Sequence, residues 1–172
     1  MNILAIDPGK SGGICVFYTL IQAIGSPPDW DIVSVTKHKL LELPLDNGLP
    51  DVGKIQDLII DYDIDVVVLE KQQTRSRQAN QAVIMEAYGM LKATATLCGV
   101  EVVELRPQEW QATLGLSGDK QANVAYAEAA GFDIPWTSYK KNGEPMARAK
   151  KHDGIADAVC IGLAYREMVK HG

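Results

Sequence analysis

The stretch DVVVLEKQQ, residues 65–73, constrains the fold more than any other part of the chain. An unbroken apolar, β-branched run such as VVVL has no polar face, so it suits a strand covered by protein on both sides, as parallel strands in α/β folds are. The run then stops in Glu70. A second run, residues 2–7 (NILAID), behaves the same way, ending in Asp7 before Pro8, Gly9, Gly12 and Gly13. Pro and Gly in that density mark a sharp turn. Two buried strands that each end in a carboxylate call for a chemical reason.

The remaining pattern supplies the rest of a mixed sheet. Residues 13–18 (GICVFY) and 31–37 (DIVSVTK) predict two further strands in a meander with the first, and QAIGSPPDW between them is rich in turn formers. LELPLDNGLP is predicted as a loop before a helix over 51–62 with Val52, Ile55, Leu58 and Ile59 at helical spacing. A long helix is predicted over 78–98 and a weaker strand, EVVEL, over 101–105. The long helix carries two apolar stripes, Ile84, Tyr88, Leu91, Ala95 and Ala79, Val83, Met90, Ala93, Leu97. That is wider than one core contact needs, and implies either deep burial or a subunit interface.

After Arg106-Pro107 comes a short helix with Trp110, then a helix started near Gly118-Asp119 and stopped by Gly131. Residues 132–150 read as irregular. The last helix is predicted from Lys151 or His152 to about Lys170, with Ile155, Val159, Ile161, Leu163 and Met168 on its apolar side. A meander followed by strand, helix, strand and helices makes a mixed α/β sheet with helices on both faces, and 172 residues suit one domain over 1–172.

With 17 Lys and Arg against 22 Asp and Glu, the formal charge of −5 repels phosphate at long range. A nucleic-acid partner would therefore need local basic patches and metal ions. No stretch reaches the roughly 18 apolar residues that cross a bilayer, and the strand pattern begins at once with no signal-like segment. The expectation is a cytoplasmic protein with no membrane partner. Cys15, Cys98 and Cys160 lack C-x-x-C spacing and read as buried thiols.

Two more acids matter. KHDGIADAV places Asp153 and Asp157 four residues apart, on one face of the last helix. Alone, Asp153 suits a helix start and Asp157 a solvated surface. If the strands ending in Asp7 and Glu70 are parallel neighbours, however, all four acids collect at the carboxyl edge of the sheet, where ligands bind in open α/β folds. Such a cluster repels itself unless a cation joins it. Carboxylate oxygens without His or Cys suit Mg²⁺ or Mn²⁺, and two such ions about 3.5–4 Å apart serve in-line phosphoryl displacement.

Five blocks in register, IDPGKSGG, VVVLEKQQ, NQAVIMEAYGMLKATATLCGVEVVELRP, LGLSGDKQANV and KHDGIADAVCIG, resemble the RuvC-like Holliday-junction resolvases of the RNase H-like superfamily. The resemblance implies an RNase H-like mixed five-stranded sheet in order 3-2-1-4-5, strand 2 antiparallel, with helices on both faces. It also implies a homodimer that resolves four-way DNA junctions by paired nicks leaving 5′-phosphate and 3′-hydroxyl ends. The implied cofactor is Mg²⁺, two ions per site with Mn²⁺ able to substitute, and no small-molecule cofactor. Asp7, Glu70, Asp153 and Asp157 are the implied metal ligands, and Lys120 is the implied lysine near the scissile phosphate. A three-residue spacing of the last two ligands is common in bacterial members, whereas four resembles the mitochondrial and viral branches, and with the compact chain it resembles a phage-type member. That spacing leaves open whether Asp153 or His152 completes the shell.

The loop KQQTRSRQ lacks the hydrophobic wedge of bacterial members, and Arg75 and Arg77 read as phosphate contacts. A second basic stretch, YKKNGEPMARAKKH, is either a solvated loop or a patch that offsets the net charge. The DNA-binding candidates are Lys10, Lys71, Arg75, Arg77, Lys120, Lys140, Lys141, Arg148, Lys150 and Lys151. Trp30, Trp110 and Trp136 read as core or loop anchors rather than base-stacking platforms.

Three rival readings remain. A strand followed by Asp-x-Gly also opens actin-like ATP-binding domains, but those need two such units. An RNase H-like nuclease could instead act on other branched DNA, structured RNA or RNA–DNA hybrid. Hybrid nucleases take a Glu from the first long helix and end the fourth strand in Asp; here that strand ends in Glu70, and the helix over 51–62 offers only Asp57 and Asp61. A module that binds junctions without cutting has no need of the four acids.

Overall fold

The computed structural model describes residues 1–9, 11–24, 31–72, 81–140 and 142–171, and the side chains of 22–24 and 31–33 lie outside that description. The chain order is β1 (Ile3–Asp7), β2 (Gly13–Ile24), β3 (Asp31–Glu42), β4 (Leu45–Asp46), β5 (Leu49–Pro50), α1 (Val52–Asp61), β6 (Val66–Glu70), α2 (Gln81–Leu97), β7 (Glu101–Leu105), α3 (Pro107–Leu114), α4 (Lys120–Ala129) and α5 (Asp153–His171). Five strands form the main sheet in order β3-β2-β1-β6-β7. β2 is antiparallel to both β1 and β3, whereas β1, β6 and β7 run parallel. This is the predicted order once the small β4–β5 hairpin is set aside.

Period-two alternation explains both faces. Ile3, Ala5, Val66 and Val68 point toward α3, α4 and α5 with Trp110, Ala127, Ile155 and Val159. Leu4, Ile6, Val67 and Leu69 point the other way, onto Ile55 and Ile59 of α1 and Tyr88, Leu91 and Ala95 of α2. The run Val66–Leu69 is buried throughout, as its lack of a polar face requires. Each such burial contributes about 1.5–3 kcal/mol before conformational entropy is subtracted.

α5 lies close against β1 and β2 because the contact is built from small residues. A Cβ on Gly162 would stand 2.2 Å from the Phe17 ring and 3.1 Å from Ala5 Cβ, and one on Gly154 would stand 1.9 Å from the Ser11 carbonyl oxygen. A bridge between Gly12 and Gly154 ties the first turn of α5 to the turn after β1. The glycines that follow Asp7 therefore seat a helix as well as bending the chain.

Four local expectations are corrected. β2 and β3 run well past the predicted ends, as a ribbon whose outer part has Ile21 at 78% exposure; a ladder without a core needs no hydrophobic alternation. At the other end of β3, Leu40 and Leu41 pack into opposite cores, which breaks the alternation a half-buried strand would show. The loop expected at LELPLDNGLP holds the β4–β5 hairpin, turned by Asn47 and Gly48 with φ of 50° and 83°, as Asn-Gly favours. Cys98 is half-buried rather than buried, near the exposed end of α2. Of the α2 stripes, Tyr88, Leu91 and Ala95 are buried, while Val83 and Leu97 are 46% and 88% exposed; Ala79 lies outside the described residues. No helix among the described residues is long and apolar enough to cross a membrane.

Candidate active site

Strand parity decides where the edge acids point. Asp7 follows Ile3 and Ala5 on the α5 side of β1, and Glu70 follows Val66 and Val68 on the α5 side of β6. The parallel register Ile6↔Leu69 makes Asp7 and Glu70 the next pair, side by side at the carboxyl edge. The Asp7 carboxylate accepts the Gly9 N–H at 3.0 Å, and a Cβ at Gly9 would approach it to 3.3 Å, so a side chain there would crowd the acid.

α5 brings the other two acids over the same edge, and α4 meets them. Asp119 caps α4 by accepting the Gln121 N–H at 3.1 Å. From the first turn, Lys120 and Asn123 reach α5 together: Lys120 Nζ pairs with Asp153, and Asn123 Nδ2 donates to Asp157 Oδ1 at 2.7 Å. Residues three apart on one helix thus meet residues four apart on its neighbour. α3, begun by Pro107 and by Glu109 accepting the Arg106 N–H at 2.7 Å, supplies Trp110, whose Nε1 donates to Glu70 Oε2 at 3.0 Å.

The electrostatics separate the acids. Burial, reinforced by Glu70 and Asp157, pushes the Asp7 carboxyl up to about 8. Burial also raises Glu70 against the hydrogen bond from Trp110, and raises Asp157 against the one from Asn123. For Asp153 burial acts upward as well, but the Lys120 hydrogen bond and charge outweigh it and the carboxyl sits low. Lys120 is held above the usual lysine range by the same contact. Among the described residues no three His, Cys, Asp or Glu side chains already converge as a metal cage.

His152 is buried and occupied. Its Nδ1 accepts the Ile155 N–H at 3.2 Å at the start of α5, and its Nε2 faces Glu42 at 3.8 Å. The helix accordingly begins at Asp153, beyond the predicted Lys151 or His152.

Beside Asp153 opens a groove of about 960 Å³ whose lining includes Lys120, Thr137, Arg148, Lys150 and Lys151. The irregular segment after α4 thus brings four of the basic candidates together. Lys151 is engaged within the protein: its ammonium reaches the Ile134 carbonyl at 2.7 Å and Glu128 at 2.9 Å, and lies 4.8 Å from the Trp136 ring centroid. Lys140 is exposed and paired with Glu144, and the Lys71 N–H donates to the Leu105 carbonyl. Lys10, Arg75, Arg77, Lys141 and Trp30 lie outside the described residues.

Sequence reasoning missed Trp110 and Asn123 as neighbours of the acids. Asn123 carries a usable signal, a polar residue three after Lys120 in the same helical turn; Trp110 carries none without the tertiary structure.

The sheet order, the strand-end acids and the covering α5 define the class, an α/β protein with an RNase H-like fold. Two solved structures share it. Thermus thermophilus RuvC superposes with a TM-score of 0.57 at 17% identity, over 100% of this chain and 97% of that one. T. thermophilus RuvC in complex with a Holliday junction substrate gives 0.58 at 16% identity, with the same coverage. The family model described as Poxvirus A22 protein matches residues 1–169, and the chain belongs to that family. That family is a viral one. The sequence matches no curated protein.

Proposed function

We propose that the chain is a divalent-metal-dependent endonuclease that resolves four-way DNA junctions by paired nicks, leaving 5′-phosphate and 3′-hydroxyl ends, and that it acts as a homodimer in the cytoplasm. One observation carries this reading: Asp7, Glu70 and Asp157 share a face of the carboxyl edge, with the Lys120 ammonium at the groove beside them. The RuvC whose fold it shares has been captured with a Holliday junction substrate.

The donor set fits Mg²⁺ or Mn²⁺. It is all carboxylate oxygen, and the elevation of Asp7 by burial and by two neighbouring acids marks a cluster short of positive charge. Asp7, Glu70 and Asp157 would hold the ions. Asp153 is the fourth ligand in this reading, since His152 has committed Nδ1 to the α5 backbone. When bound there, two ions supply an activated water and positive charge for the departing 3′ oxygen.

The protein's own residues do the rest. The Gly9 N–H holds the Asp7 carboxylate in place. Lys120 offers a charged donor to a phosphate entering the groove, and its ion pair with Asp153 keeps it extended toward that space. Arg148 and Lys150 are exposed along the groove and serve phosphates of the arms. Lys10, Lys71, Arg75, Arg77, Lys140 and Lys141 extend that role to flanking DNA, whereas Lys151 acts mainly within the fold.

A junction with two-fold symmetry requires two sites. The exposed α2 stripe, with Val83 and Leu97, is the surface proposed for pairing two copies.

The test is cleavage of a mobile four-way junction, a Y fork, linear duplex and RNA–DNA hybrid in Mg²⁺ and in Mn²⁺. Junction preference is expected, with paired symmetric nicks. Preference for the hybrid, or cutting of linear duplex as fast as the junction, would overturn the reading.

A further inference from the structure

Two buried side chains outside the acid cluster have their polar atoms turned to it. Trp110 is 1% exposed and packs in the α5-side core, and its single polar atom, Nε1, donates to Glu70 Oε2 at 3.0 Å. Asn123 is 2% exposed, and its Nδ2 donates to Asp157 Oδ1 at 2.7 Å. Its Oδ1 is buried and finds no donor among the described residues. A buried carbonyl oxygen left unpaired costs about 1–3 kcal/mol. An apolar side chain of the same size would avoid that cost, and what the amide offers against it is its other end, at Asp157. Turned over, it would set oxygen against carboxylate.

We infer that Trp110 and Asn123 are positioning residues that fix one oxygen each of Glu70 and Asp157 with neutral N–H donors and present the remaining oxygens to the divalent ions. On Glu70 that remaining oxygen, Oε1, has, among the described residues, a longer contact at 3.3 Å, from Gln72. Neutral donors suit the task because they orient a carboxylate without cancelling the charge a cation needs. Lys120 does the opposite at Asp153. Hydrogen-bonded partners of this kind change metal affinity by about 10–100-fold when removed.

The inference rests on the metal-site reading above, and one experiment separates the two. Mn²⁺ is titrated by calorimetry into the full-length protein and into W110F, N123L, the double variant and D7N, with melting midpoints measured in EDTA. W110F and N123L are expected to weaken Mn²⁺ binding about 10-fold each. The metal-free midpoint of N123L should stay within a few degrees of wild type, since the orphaned acceptor it removes offsets the donor lost at Asp157. Junction cleavage by both variants should return to within a few-fold of wild type at saturating Mn²⁺. Should N123L not fold, Asn123→Ala, which leaves a space rather than a clash, takes its place. Mn²⁺ affinity unchanged in W110F and N123L while D7N has lost it would overturn the positioning roles and leave the nuclease reading intact. A wild-type protein that binds no Mn²⁺ would overturn both.

Discussion

Asp153 and Asp157 stand one helical turn apart on α5, and the fold treats them in opposite ways. Asp157 is largely enclosed, meets a neutral amide from Asn123, and is pushed above the usual carboxylate range by burial. Asp153 is more open, and burial raises it too, but the ammonium of Lys120 wins and holds it low. The helical repeat aims both acids at one edge; the neighbouring helix decides which already has a cationic partner and which meets only a neutral donor. Asp157 thus shares its raised carboxyl with Asp7 and Glu70, whereas Asp153, the fourth proposed ligand, is paired with Lys120 before any cation arrives.

The sharpest way to break this comparison is to neutralise one acid from each group. Asp157→Asn and Asp7→Asn should each lower junction cleavage by about 10³-fold or more with binding retained, as expected for groups that act as a unit. Asp153→Asn should cost less, about 10²-fold, and Lys120→Ala a similar amount. Because those two residues form one pair, the double variant should lose less than the product of the single losses. Equal losses at Asp153 and Asp157 in a single-turnover assay would erase the distinction.

A smaller effect separates position from charge. Gly154→Ala places a Cβ against the Ser11 carbonyl, and overpacking of this kind costs about 1–3 kcal/mol. That corresponds to a drop of several degrees in melting midpoint, with cleavage falling alongside as the start of α5 shifts. Asp7→Asn should abolish cleavage with no such drop, so calorimetric melts tell the two failures apart.

A further effect, separate from packing, is on stability against pH. The Asp7 carboxyl lies at about 8 in the fold, against 3.8 for its ordinary value. Between those values the folded form keeps a proton that the unfolded chain has released, so the contribution is full below the lower value and is lost as pH rises through the upper one. Metal-free melting midpoints should thus fall from pH 5 to pH 8, and Asp7→Asn should flatten that slope. Mg²⁺ should restore more stability at pH 8 than at pH 5. A metal-free midpoint that rises over this interval would contradict the account of the cluster.

The elements of the sheet were legible because burial leaves a plain mark. The short, β-branched run VVVL suits a strand covered on both faces, and its parity, carried one residue further, aims Glu70 at α5. The β2–β3 ribbon was not legible past its core-facing part, where hydrogen bonds alone set its length. The β4–β5 hairpin was announced by Asn47-Gly48 but hidden by its brevity. At the site, Asp7 and Glu70 could be read because they end apolar runs, and Asp153 and Asp157 because they stand four apart on one helix. The partners that sort them, Lys120 against Asp153, Asn123 against Asp157 and Trp110 against Glu70, come from helices far away in the chain, and no local pattern records those contacts.

The most direct measurement of the central claim is junction binding and cleavage by Glu70→Gln in Mg²⁺. This substitution keeps the shape of the side chain and an acceptor for Trp110 Nε1, and removes only the charge at the strand end. The predicted result is binding to a four-way junction with wild-type affinity and no detectable nicking of either strand. Cleavage at a rate near that of the wild-type protein would contradict the assignment of the sheet edge as the catalytic centre.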